Sequence, residues 1–183
     1  MMLIYIIAGI ITLLLIYIFV LYNSLINLSN RVKEAFATMD VYLKKRWDLI
    51  PNIVEAVKGY ANYEKDTLEK VISLRNSAYD KMSTNDKIDT NEQLTTNVSK
   101  LMMLVEAYPD LKANKNFLDL SSQLSKVEED ILNARKYYNA VVRNMNNKVQ
   151  MFPSNLFSKL FGFKEVKYFE ANKAERENVK VEL

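Results

Sequence analysis

The hydrophobic pattern changes character once along the chain. Residues 2 to 22, MLIYIIAGIITLLLIYIFVLY, are continuously apolar, whereas from Leu25 onward the apolar positions recur at intervals of three and four. About 20 such residues, rising about 1.5 Å each, cover the roughly 30 Å hydrocarbon core of a bilayer. A cleaved signal peptide would carry a basic start and a small-residue cleavage site, and neither is present. The expectation is a transmembrane anchor over residues 1–23, with Tyr22 at its interface. Nothing basic precedes the run, while Arg31, Lys33, Lys44, Lys45 and Arg46 follow it. The positive-inside rule then puts the amino terminus outside and the globular part in the cytoplasm.

Beyond the anchor the stripes are helical. Leu25, Leu28, Val32, Phe36, Met39 and Leu43 mark one, and Ile50, Val54, Val57, Ala61, Leu68 and Ile72 the next. From Asp80 the stretch DKMSTNDKIDTNEQ breaks the period and reads as a loop. Leu94, Val98, Leu101, Val105 and Tyr108 resume it until Pro109. The cleanest stripe runs from Phe117 through Leu120, Leu124, Val127, Ile131, Ala134, Tyr138 and Val141 to Met145, and Pro153 closes it. The pattern predicts an all-α chain: an N-terminal transmembrane helix followed by an antiparallel four-helix bundle over residues 24–152, with helices 25–47, 49–80, 91–107 and 115–150. Residues 153–183 are expected to form a short amphipathic helix, ending at Gly162, and a charged tail whose Val179, Val181 and Leu183 could extend a partner's sheet.

Composition narrows the chemistry. With Gly 3 and Pro 3 in 183 residues there is little turn-forming material for sheets. There are no cysteines and no histidines, which removes disulfides, thiolate nucleophiles, zinc clusters and the usual general base. The net charge of +3 is dispersed over both signs, unlike the basic stripe of a nucleic-acid binder. No nucleic acid, cofactor or metal is therefore expected as a partner.

One stretch, KKRWDLIPNIVEAVKGYA from Lys44 to Ala61, sets a proline within an otherwise helical pattern. Proline suits a first helical turn and disfavours helical angles in the residue before it. On that ground Asp48 is expected to cap a new helix starting near Leu49, making a hairpin at Pro51. The alternative is one long helix kinked at Pro51. The two differ at Val32 and Ile72, neighbours in a hairpin but about 60 Å apart along a continuous helix.

Several stretches together resemble the LemA family of bacterial membrane proteins: YNSLINLSNRVKEAFATMDVYLKKRWDLIPNIVEAVKGYANYE, AYPDLKANKNFLDLSSQL, EEDILNARKYYNAVVRNMN and FPSNLFSKLFGFKEVKYFE. The likeness runs from Tyr22 to about Glu170 and implies a four-helix bundle behind an amino-terminal membrane helix. It brings no reaction, cofactor or catalytic residue with it. The chain departs from the family at Ser29, at Tyr63 and in its tail AERENVKVEL. Tyr63 stands where relatives often carry histidine, which counts against metal ligation there.

Two groups of residues are candidates for contact. Arg46, Asp48, Asn52 and Glu55 could line a groove for a partner or ligand with Arg135, Tyr138 and Asn139 of the last helix, or they could simply fix the bundle's register. Phe157, Lys159, Phe161, Phe163, Lys164 and Lys167 interleave rings with basic groups, which suits either a cap on the bundle or an anionic membrane surface. The expected function is a non-enzymatic, membrane-tethered scaffold or adaptor working through an unknown, membrane-associated protein partner, with homo-oligomers allowed. The alternative is a ligand-sensing bundle that signals through a partner.

Overall fold

The computed structural model describes residues 1–60 and 79–170. Regular elements among them are helical throughout: α1 (Met2–Lys58), a 3-10 turn (Tyr79–Lys81), α2 (Thr84–Val105), α3 (Pro109–Lys112), α4 (Lys115–Gln150) and α5 (Ser154–Leu160). The all-α expectation holds. Much of the predicted second helix, including Ala61, Tyr63, Leu68 and Ile72, lies outside the described residues, as does the tail from residue 171.

The expected hairpin at Pro51 is not there. α1 passes through Pro51 without interruption, and Asp48 caps nothing; its carboxylate instead pairs with Lys44 Nζ at 2.6 Å one turn earlier. Pro51 leaves the Trp47 carbonyl without its usual helical donor. The seam outweighs that loss, because Leu43, Arg46, Ile50, Ile53, Val54 and Val57 remain in phase on both sides of the proline, all buried. Each buried aliphatic side chain contributes about 1.5–3 kcal/mol, so the four aliphatics from Ile50 to Val57 exceed the proline's cost of about 3 kcal/mol.

α2 begins seven residues before the predicted helix, at Thr84 rather than residue 91. Ser83 and Asp86 form a capping box: the Asp86 amide donates to Ser83 Oγ and the Ser83 amide to Asp86 Oδ2, both at 3.2 Å. α4 keeps its predicted span of 115–150. Asn114 starts it, with Oδ1 accepting from the amides of Asn116 and Phe117.

The chain divides into two compact units: residues 1–37 with 136–168, and residues 38–135 with 169–183. In the first, the large apolar side chains of α1 from Leu3 to Val20 are exposed, apart from half-buried Ile18. Leu21, Leu25, Val32 and Ala35 are buried, as are Tyr138, Val142, Met145 and Val149 of α4. The Phe36 ring meets Tyr138 edge-on at 5.9 Å. After α4 the chain turns at residues 151–153 into α5. Gly162, at φ 76°, ends α5: its amide donates to the Lys159 carbonyl at 3.1 Å, and the Phe163 amide to the Ser158 carbonyl at 2.9 Å. Only glycine takes that left-handed angle without steric cost, and Gly162 is where the sequence placed the cap.

In the second unit the core comprises Met39, Leu43, Trp47 and Ile50 through Val57 of α1, Ile88 through Val105 of α2, Leu111 of α3, and Phe117 through Ile131 of α4.

Candidate functional site

Among the described residues of the second unit, Arg46 is the most deeply buried charge. The period of α1 puts it there: Met39, Leu43, Arg46, Ile50, Ile53 and Val57 step by three and four along one stripe. Its side chain has 0% exposure. Nη1 donates to Glu128 Oε1 and Oε2 at 2.9 and 3.0 Å and to Thr95 Oγ1 at 2.9 Å. Nη2 donates to the Asn91 carbonyl at 2.8 Å and to Asn91 Oδ1. The Thr95 hydroxyl donates to the same Asn91 carbonyl at 3.0 Å. Nε is buried with no partner. Dehydrating a guanidinium costs several kcal/mol, and this ring of acceptors offsets it.

Beside Arg46 is a cavity of about 300 Å³, lined by Thr95, Glu128, Glu129, Arg135 and Phe169 among others. The Arg135 guanidinium lies over the Phe169 ring, 5.8 Å from its centroid. An adjoining groove of about 640 Å³ shares Thr95 and Glu128 and is otherwise largely apolar, with Val98, Met102, Met103 and Leu124. The arrangement holds charge in place and does not poise a proton. The hydroxyl proton of Thr95 goes to a carbonyl, and Glu128 is paired with a guanidinium. Among the described residues no group of three or more acidic side chains could hold a metal ion.

The structure brings together only part of the predicted groove. Arg46 and Arg135 line one cavity; Asp48, Asn52 and Glu55 do not. Those three are exposed, with Asp48 on Lys44 and Glu55 on Lys58 at 3.5 Å. The cause is the unbroken helix. At about 100° per residue, Asp48, Asn52 and Glu55 point roughly 120–180° away from Arg46. Tyr138 and Asn139 belong to the first unit. There the Tyr138 hydroxyl donates to the Lys167 carbonyl at 3.0 Å, and burial raises its pKa. Asn139 is half-buried.

A second polar cluster escaped the sequence reading. Asp40 accepts from the Tyr79 hydroxyl at 2.6 Å and from Lys87 Nζ at 2.7 Å. Lys87 also lies over the Tyr79 ring at 4.5 Å, and Trp47 packs against that ring at 5.3 Å. Burial and then the Asp40 carboxylate push the Tyr79 pKa well above its usual value. Tyr79 and Lys87 fall at the edge of and within the stretch taken for a loop, and no spacing signal links them to Asp40.

In the first unit, the rings expected as membrane contacts pack edge-on against α1, with Phe157 and Phe163 half-buried and Phe161 exposed. Phe157 meets Tyr17 at 6.2 Å, and Phe161 and Phe163 meet Tyr22 at 5.1 and 6.2 Å, all edge-on. Lys159, Lys164 and Lys167 are exposed. So are Met151, Phe152, Leu156 and Leu160.

Comparison with known proteins gives one family. Residues 35–183 match the model of the LemA family. Protein LemA of Metamycoplasma hominis is 27% identical over 159 residues, covering 86% of this chain and 72% of that protein. Magnetosome protein MamQ 2 of Paramagnetospirillum magneticum is 29% identical over 77 residues, and magnetosome protein MamQ of Magnetospirillum gryphiswaldense is 27% identical over 77. Those two alignments span 42% of this chain and only 28% of either MamQ protein.

Proposed function

The chain belongs to the LemA family, and from that premise we propose that it is a membrane-tethered helical scaffold, non-enzymatic, acting through a protein partner at the bacterial membrane. The observation that carries this reading is the bare apolar surface of α1 from Leu3 to Val20. A soluble protein rarely leaves so large an apolar surface facing water, and a bilayer is the solvent that suits it. The basic residues after the run favour an amino terminus outside and the remainder in the cytoplasm. The partner surface is assigned to the outward face of α1 that carries Asp48, Asn52 and Glu55, opposite the packed seam.

The test is purification of the full chain from native membranes, beside a variant carrying Asp48→Lys, Asn52→Lys and Glu55→Lys. A protein that co-purifies with the natural chain and is lost from the variant, at unchanged helical content, supports the scaffold. The same set of proteins with both chains removes the assigned surface. A chain that leaves the membrane fraction on alkaline carbonate washing removes the tether.

A second reading rests on the cavity beside Arg46 and Arg135, which has room for a small anion. Under it the bundle senses a ligand and passes the signal to the partner. Native mass spectrometry of the chain released from membranes would show a bound species that Arg135→Ala abolishes.

A further inference from the structure

We propose that the turn between α4 and α5, with α5 itself, is a second membrane element that enters the same leaflet interface as the end of the apolar run. This rests on reading that run as the tether. The ring contacts fix depth: Phe157 is level with Tyr17 and Phe161 with Tyr22, so α5 runs alongside α1 in the same direction. The turn at residues 151–153 therefore lies at or below the level of Tyr17, inside the apolar run rather than beyond it.

The surface there is wrong for water. Met151 is 62% exposed, Phe152 79%, Leu156 60% and Leu160 76%. They continue the bare apolar surface of α1, which is what points to the bilayer as their occupant.

The backbone is also suited to a dry setting. The last carbonyls of a helix have no intrahelical donor, and within a bilayer each open one costs several kcal/mol. Here the Met151 carbonyl accepts from Ser154 Oγ at 2.8 Å and from the Asn155 amide at 2.9 Å. The Val149 carbonyl accepts from Ser158 Oγ at 3.1 Å. Both serines are buried. A turn bathed in water needs neither hydroxyl. Lys159 and Lys164 are exposed on the same segment, with Glu165 the acidic residue near them. Each lysine near an anionic leaflet strengthens binding by a factor of about five.

The chain has Cys 0, so a single introduced cysteine can carry a fluorescent probe. Leu160→Cys and Ile11→Cys, each in the full chain reconstituted in phosphatidylglycerol vesicles, are labelled and exposed to aqueous iodide or to spin-labelled lipid. The expected result is lipid quenching at both positions, shallow at 160 and deep at 11. Lys159→Glu with Lys164→Glu then raises iodide access at 160 by about fivefold or more in these vesicles and leaves it unchanged in neutral phosphatidylcholine. Lipid quenching at 11 with free iodide access at 160 overturns the inference and leaves the tether standing. Shielding from iodide at 160 without lipid quenching means that protein, such as a second copy, covers the segment, and also overturns it. No lipid quenching at 11 removes the tether and the inference together.

Discussion

Arg46 and Asn91 are hydrogen-bonded to each other from the middle of two otherwise apolar seams. Each takes a slot that the period assigns to an aliphatic residue: Arg46 between Leu43 and Ile50 on α1, Asn91 between Ile88 and Leu94 on α2. Neither substitution is tolerable alone, since a guanidinium facing an aliphatic seam would be dehydrated without acceptors. Together they select one register of α1 against α2.

Asn91→Leu is therefore expected to lower stability by about 2–3 kcal/mol, the scale of a lost hydrogen bond to a buried charge. Arg46→Met alone leaves Asn91 Oδ1 and the Glu128 carboxylate without their donor and costs about 1–3 kcal/mol or more. The double variant should lose less than the sum of the two single losses, because Asn91 no longer has a side-chain oxygen to satisfy, while Glu128 and Thr95 remain without the guanidinium. Urea unfolding in mild detergent measures all three. Simple additivity of the single losses would show that the two residues are not coupled.

Pro51→Ala is expected to stabilise the chain, by up to about 3 kcal/mol, since it restores a donor for the Trp47 carbonyl within a continuous helix. In a hairpin the same proline would sit in a favourable first turn, and its replacement would be neutral or harmful. The sign of the change in denaturation midpoint separates the two architectures.

Alkaline pH should weaken the second unit through Tyr79. Its phenol has a pKa of 10.0 when unfolded and a higher one when folded. Below pH 10 both states keep the proton and the full stability is present. Above it the unfolded state binds fewer protons, so stability falls, by about 1.4 kcal/mol per pH unit, until the folded pKa is reached. Tyr79→Phe should reduce that loss while leaving the contribution of Tyr138, and unfolding curves on either side of pH 10 would show it.

Gly162→Ala is expected to cost about 1–2 kcal/mol locally, the penalty for an L side chain in the left-handed region. The Cβ itself meets nothing within 4 Å, so the cost is conformational rather than steric crowding. Amide exchange should quicken at Phe163, whose N–H bond to Ser158 depends on that turn. Unchanged protection there would show that the cap does not hold the segment.

The stripes of α1 and α4 were legible because their buried positions are almost all apolar. The start of α2 was not, for a physical reason: Asn91 interrupts the period where it serves Arg46, so the polar pairing of α1 with α2 also hides the helix from a hydrophobic reading. Only the Ser83–Asp86 capping box marked the true start. A helix break at Pro51 would let Asp48, Asn52 and Glu55 share a groove with Arg46, whereas the unbroken helix points them elsewhere. At the carboxyl end the composition identified an aromatic-basic segment but not its orientation. Phe157 and Phe161 hold the segment on Tyr17 and Tyr22, and Leu156 and Leu160 face out.

The pairing of Phe157 with Tyr17 bears on the symmetry of the proposed crossing. As the tether proposed above, residues 2–22 would rise roughly 31 Å, close to the roughly 30 Å hydrocarbon core. With α5 held beside Tyr17 and Tyr22, that crossing would be a single helix in one leaflet and a thicker wedge at the other face.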